Sequence, residues 1–122
     1  MLDGFKTETI AVNGTEIFVR SAGAGDPVLL IHGFPQTGDC WHGIAPALTE
    51  QFTVIIPDLR GYGASGKPAP SADHAAHSKR EMARDLVALM AALGHERFAV
   101  VGHDRGARVG FRLCMDHPER AT

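Results

Sequence analysis

Long apolar runs are missing from this 122-residue chain. No stretch approaches the ~18 apolar residues of a membrane-crossing helix. The opening Met1-Leu2-Asp3-Gly4-Phe5 has neither the basic segment nor the apolar core of a signal peptide, so a cytoplasmic protein that avoids membranes is expected. Charge of one sign is also missing. The net charge is −2, the seven histidines are scattered, and no basic face forms that would suit nucleic acid. Cysteine is scarce, and Cys40 and Cys114 lie far apart in stretches of helical patterning, which favours two free thiols over a disulfide. His74 and His77 share a polar loop without a second ligand cluster to complete a metal site, so neither metal nor cofactor is expected. There are no repeats and no low-complexity tracts. What remains is one domain at most, of ordinary globular composition with 44% hydrophobic and 21% charged residues.

In chain order, residues 5–12 and 16–20 read as strands around Asn13-Gly14, a dipeptide that accepts the positive φ angles of a tight hairpin. Pro27 through Ile31 is a continuous apolar run of the kind buried on both faces of a sheet. Apolar residues at 41, 44, 45 and 48 predict a short helix over Trp41–Thr49, with Trp41 as a core residue. Phe52 through Ile56 is the next strand, closed by Pro57-Asp58 and a glycine-punctuated loop through Pro70. In that loop Asp58 is expected to form a turn and Arg60 to lie on the surface. Ser78 and Glu81 have capping-box spacing, Met82, Leu86, Leu89, Met90 and Leu93 mark one apolar helix face, and Gly94 ends it. A strand at 98–102 and a helix stopped near 116 by His117-Pro118 complete the order. Strand, helix, strand, helix, strand, helix is half of a doubly wound, mostly parallel α/β sheet with flanking helices.

The chemistry concentrates where Phe98-Ala99-Val100-Val101 breaks at Gly102 and restarts as a helix. Gly102-x-Asp104-x-Gly106 has the spacing of a nucleophile elbow, a strained turn that lifts one side chain above the carboxyl end of a parallel sheet. Glycine on both sides is the steric condition for it. The apex is aspartate, which is already anionic and attacks carbon without a base to activate it. An ester on the enzyme results, and a histidine-activated water must then hydrolyse it at the aspartate's own carbonyl carbon. Arg105 and Arg108 follow on the opening helix. They favour the charged carboxylate, and their guanidinium forks suit a second carboxylate carried by a substrate. The plain structural reading of the same residue is a helix N-cap.

These motifs, with His32-Gly33-Phe34-Pro35-Gln36 and Asp58-Leu59-Arg60-Gly61-Tyr62-Gly63-x-Ser65, resemble the α/β-hydrolases with an aspartate nucleophile, and among them the haloacetate (fluoroacetate) dehalogenases. The resemblance covers nearly the whole chain. Related epoxide hydrolases and haloalkane dehalogenases usually carry tryptophan after the aspartate, so Arg105 tilts the reading toward a small haloacid. Ala107 departs from the glycine common there. The resemblance implies Asp104 as nucleophile, the backbone N–H groups of Phe34 and Arg105 as oxyanion hole, and Arg105 and Arg108 as substrate-binding residues.

In this fold the acid and histidine follow the nucleophile, yet only Asp116, His117 and Glu119 come later, about three to four helical turns or ~18 Å past it. They cannot form the triad. Residues 1–122 are therefore expected to be a partial core domain, with the cap and the C-terminal part of the core absent and the chain inactive alone. The partners expected are a small haloacid, a homo-oligomer, or the missing C-terminal half. Strand 98–102 is expected at an open sheet edge. The alternatives are an epoxide hydrolase or haloalkane dehalogenase relative, or a non-catalytic module that binds a carboxylate or a partner chain.

Overall fold

The computed structural model describes residues 4–33, 36–67 and 78–122. Strands β1 (Lys6–Val12) and β2 (Thr15–Ala22) pair antiparallel. The turn between them holds Asn13 at φ 49° and Gly14 at φ 77°, the two positive values that a two-residue hairpin needs to match the twist of its strands. Strands β3 (Asp26–Ile31), β4 (Phe52–Pro57) and β5 (Ala99–Gly102) complete a five-stranded sheet in the order β1-β2-β4-β3-β5. The β2/β4 pairing is antiparallel, and β3 is parallel to both β4 and β5.

Helices lie on both faces of this sheet, which explains the unbroken apolar run of β3. Leu29 and Ile31 pack with Ile17, Val19 and Ile55 under the helices α2 (Lys79–Ala92) and α3 (Arg105–Asp116). Val28 and Leu30 point the other way and pack with Val54, Ile56, Trp41 and Ala45. The helix expected over Trp41–Thr49 is broken. A 3-10 turn occupies Gly38–Trp41 and a single turn, α1, occupies Ala45–Leu48. Pro46 sits at the start of α1 and lacks the N–H that a continuous helix would use there. Trp41 is buried in the core, as expected.

Helix α2 starts at its expected cap, with Ser78 Oγ accepting from Glu81 N at 3.1 Å. The Glu81 carboxylate accepts from Asn13 Nδ2 at 3.1 Å and from Arg84 at 2.8 Å. At the far end Gly94 takes φ 90°, and the N–H groups of Gly94 and His95 donate to Ala91 and Met90, a left-handed glycine stop. Strand β5 ends the strand order, as expected, and Val101 is 41% exposed. Residues 120–122 begin a parallel bridge along its outer side, through Phe98 N to Arg120 O at 2.9 Å and Thr122 N to Phe98 O at 3.0 Å.

Arg60 corrects the expectation of a surface arginine. It is 5% exposed and grips Asp85 of α2 through Nε and Nη2 at 2.6 and 2.7 Å. Asn13 Nδ2 donates to the same carboxylate at 2.9 Å. The loop after β4, helix α2 and the first hairpin are thus tied at one buried point. Removing one member of a buried, hydrogen-bonded pair strands the other. Asp85→Ala should therefore lower the unfolding free energy by about 3–5 kcal/mol, measured by urea denaturation, and Asp85→Leu combined with Arg60→Leu should lose less than Asp85→Ala alone.

Candidate active site

Asp104 sits between β5 and α3, at the carboxyl end of the parallel strands, where ligands of open α/β sheets bind. Its backbone is at φ 57° and ψ −123°, a combination that costs a non-glycine residue about 1–3 kcal/mol. The turn survives because its neighbours leave no alternative. His103 N extends the β3 ladder to Ile31 O at 3.0 Å, and Gly106 N closes back on His103 O at 2.9 Å. A Cβ on Gly106 would collide with the carbonyl oxygens of Ile31 and His32, and one on Gly102 would lie 2.6 Å from Gly106 O. The two glycines let helix α3 start directly against β3. Gly33 completes the fit, since a Cβ there would lie 2.5 Å from Asp104 Cβ and 2.8 Å from Asp104 Oδ2.

The aspartate is exposed, and its side chain makes no capping bond to α3. The N-cap reading of this residue therefore lacks its defining contact. Arg105 and Arg108 are both exposed in the first turn of α3, where the positive end of the helix dipole adds to their charge. Phe34, and the His74 and His77 pair, lie outside the described residues. Asp116, at the other end of the twelve-residue α3, pairs with Arg112 at 3.2 Å and Arg80 at 3.4 Å, so it serves helix packing far from Asp104.

Two buried polar groups that sequence reasoning gave no site role shape the neighbouring loops. His32 is fully buried. Its Nε2 accepts from Leu59 N at 2.9 Å, which leaves the proton on Nδ1 to donate to Gly33 O at 2.9 Å. Burial pushes its pKa below the usual histidine range, against the opposing influence of the Gly33 carbonyl and of Asp58. Asp58 is the second. Its Oδ1 receives Arg20 Nη1 at 2.9 Å and Gly38 N at 2.7 Å, and its Oδ2 receives Ala64 N at 3.0 Å. Burial opposes its charge, but Arg20 and the two backbone donors together hold its pKa below the ordinary carboxylate value. The expected turn-forming role is thus part of a larger one, since Asp58 joins β2, the 3-10 turn and the loop after β4. Arg20 was the readable signal, a charged residue at the inward-facing end of a strand. Asp85 was another, falling within the apolar face of α2.

A model of the alpha/beta hydrolase fold family matches residues 26–122. The chain is 47% identical to a fluoroacetate dehalogenase from Burkholderia sp over 119 residues, covering 98% of this chain and 39% of that protein. It is 44% identical to a soluble epoxide hydrolase from Corynebacterium sp. over 106 residues, covering 87% of this chain and 35% of that protein. A crystal structure from Nostoc sp PCC 7120, described provisionally as an alpha/beta hydrolase, superposes with a TM-score of 0.97 at 50% identity, covering 99% of this chain and 42% of that one. Epoxide hydrolase from Vigna radiata superposes at 0.91 with 34% identity, covering 99% of this chain and 39% of that one. The chain thus spans less than half the length of these relatives.

Two outcomes follow from this geometry. Gly106→Ala should destabilise the chain by more than 3 kcal/mol or prevent folding, because the new methyl meets rigid backbone on both sides; circular dichroism during urea unfolding measures it. The second concerns pH. A histidine held neutral by burial binds fewer protons folded than unfolded, so its contribution to stability is complete above about pH 6.5 and falls as pH drops below that toward the depressed folded value. His32→Gln should flatten this part of the stability profile between pH 7.5 and 5.5, measured by urea titration at each pH.

Proposed function

This chain belongs to the alpha/beta hydrolase fold family, and from that premise we propose that it carries the nucleophile of a hydrolase that displaces halide from a short 2-haloacid. We read residues 1–122 as part of the catalytic core, working within a chain of the relatives' length. The observation that carries the proposal is Asp104 itself, exposed on a backbone at φ 57° and ψ −123°, without a capping bond. Packing imposes the turn, but glycine would adopt it without strain, so an aspartate kept there carries a cost that packing alone does not require.

The reaction divides into two steps. In the first, a carboxylate oxygen of Asp104 attacks the carbon that bears the halogen. The carbon–oxygen bond forms as the carbon–halogen bond breaks, and the halide leaves with the electron pair. Arg105 and Arg108 receive the substrate's own carboxylate and offset the repulsion between it and Asp104. In the second step, water attacks the carbonyl carbon of the aspartyl ester. The backbone N–H groups of Phe34 and Arg105 are assigned to the oxyanion that forms, and the base that activates the water is a histidine carried outside these residues. The hydroxyacid departs and the carboxylate is restored.

Epoxide opening is the second reading, favoured by the 44% identity to the Corynebacterium soluble epoxide hydrolase. The same carboxylate would attack an epoxide carbon, and the ring oxygen would need a proton donor. Arg105 is the residue that argues for the acid substrate, because a guanidinium fork beside the nucleophile has no counter-charge to meet on a neutral epoxide.

The first step needs no late histidine, which makes it testable on this chain. Bromoacetate should place one ester on Asp104, lost in mild base and absent in Asp104→Asn, with no sustained release of bromide. Peptide mass mapping separates this adduct from base-stable thioethers on Cys40 and Cys114. Arg108→Lys should slow the alkylation about ten-fold, ~1.4 kcal/mol. Labelling confined to the cysteines would overturn the proposal, and faster esterification by a neutral epoxide would move it to the second reading.

A further inference from the structure

Beside the nucleophile lies a feature that halide displacement from acetate leaves unused. A cavity of about 300 Å³ is lined by Gln36, Cys40, Trp41, Gly43, Ile44 and His103, which places it at the small end of the ~300–1,000 Å³ typical of ligand pockets. Its place next to Asp104 is set by bonded neighbours. His103 immediately precedes the nucleophile. Gln36 N donates to Gly33 O at 2.9 Å, and Gly33 is the residue against which the Asp104 side chain packs.

The lining decides what such a cavity accepts. It holds the Trp41 ring, the Ile44 side chain, the bare backbone of Gly43 and a thiol whose pKa burial pushes up, with Asp39 adding to the effect, so Cys40 stays neutral at pH 7. Among the described residues, no aspartate, glutamate, lysine or arginine lines it. Ile44 is 50% exposed, one of the few large apolar side chains that the described fold leaves in water. Gln36 and His103 are the polar members of the lining, and an aliphatic chain set against Trp41 and Ile44 gains by displacing water.

We propose that this cavity is the subsite for an aliphatic arm of the substrate, so that the preferred electrophile is a 2-halocarboxylate of several carbons rather than a haloacetate. This rests on the aspartyl-ester reading of Asp104. Three contacts then define the bound molecule: its carboxylate at Arg105 and Arg108, its halogen-bearing carbon over Asp104, and its arm between Trp41 and Ile44. Because the carbon is attacked from the Asp104 side, an arm fixed in the cavity selects one enantiomer of the 2-halo centre.

Trp41 is the sole tryptophan and a wall of the cavity, so its fluorescence reports occupancy of the intact chain directly. Titration with acetate, butyrate, hexanoate and octanoate should give no response to acetate and a saturable one to the longer acids, tightening several-fold for each two methylenes added. Ile44→Asp should weaken hexanoate at least ten-fold at unchanged circular dichroism, and Ile44→Leu should keep it. Hexanoate should also protect Asp104 from bromoacetate at a concentration where acetate does not. Equal responses to acetate and hexanoate, no saturable response to any acid, or indifference to Ile44→Asp would overturn the subsite. If bromoacetate still esterifies Asp104 in that case, the subsite fails and the ester reading stands. A Trp41 response without an ester on Asp104 would overturn the ester reading, and with it the assignment of the cavity to a substrate's arm.

Discussion

The backbone at Asp104 is held at positive φ by the close approach of α3 to β3, and most of the fold on that side of the sheet follows from this constraint. Gly106 sits against the carbonyl oxygens of Ile31 and His32 with no room for a methyl group. This brings the start of α3 over the end of β3, and Val109 and Leu113 are then buried in one cluster with Ile31 and Leu29. The strain at one residue is offset by that burial, at ~25 cal/mol for each Å² of apolar surface removed from water. The trade works in one direction only: the core can hold the turn, whereas the turn cannot hold the core. A residue in this conformation persists when its surroundings leave it no choice.

Around that turn the loops are ordered chiefly by buried polar groups. Asp58 accepts from Arg20, Gly38 and Ala64, His32 bridges Leu59 and Gly33, and Arg60 meets Asp85 and the Asn13 carbonyl. A loop that carries function cannot bury a hydrophobic face without closing itself to ligand. Directional bonds fix its path while leaving its outer surface open, but each lost partner exposes an unsatisfied charge or donor. His32 shows the economy of the arrangement. One neutral ring satisfies a donor on one loop and an acceptor on another, and its two nitrogens can do so only in one tautomer.

Elements whose cause is local were legible in the sequence. Asn13-Gly14 specifies its hairpin by backbone preference, Ser78 and Gly94 bound α2, and the apolar runs of β3 and β4 need no partner to be recognised. The strand, turn and helix around Asp104 were legible because glycine at 102 and 106 answers a steric demand within five residues. Apolar spacing predicts one helix over Trp41–Thr49 but carries no information about the N–H that Pro46 lacks, and there the helix is broken. Arg60 departs from expectation for a different reason. Its partner Asp85 is 25 residues away, and composition gives a buried arginine no mark of its own. The carboxylate could have been suspected, lying as it does on the same helix face as Met82, Leu86 and Leu89.

The sheet presents two carboxylates at the carboxyl ends of its parallel strands, Asp58 after β4 and Asp104 after β5, and their surroundings differ. Asp58 is 1% exposed, its oxygens already taken by a guanidinium and two backbone N–H groups. Those partners stabilise the charge so well that its lone pairs are poor donors to anything else, and no ligand reaches them. Asp104 is exposed at the N-terminus of α3, next to Arg105 and without a capping bond to the helix. An exposed carboxylate lies within reach of a small molecule, whereas one sealed inside a loop does not. The residue type and the position on the sheet are the same in both cases. What separates them is burial: Asp58 is enclosed by the elements it joins, whereas Asp104 stands at the surface where β5 turns into α3.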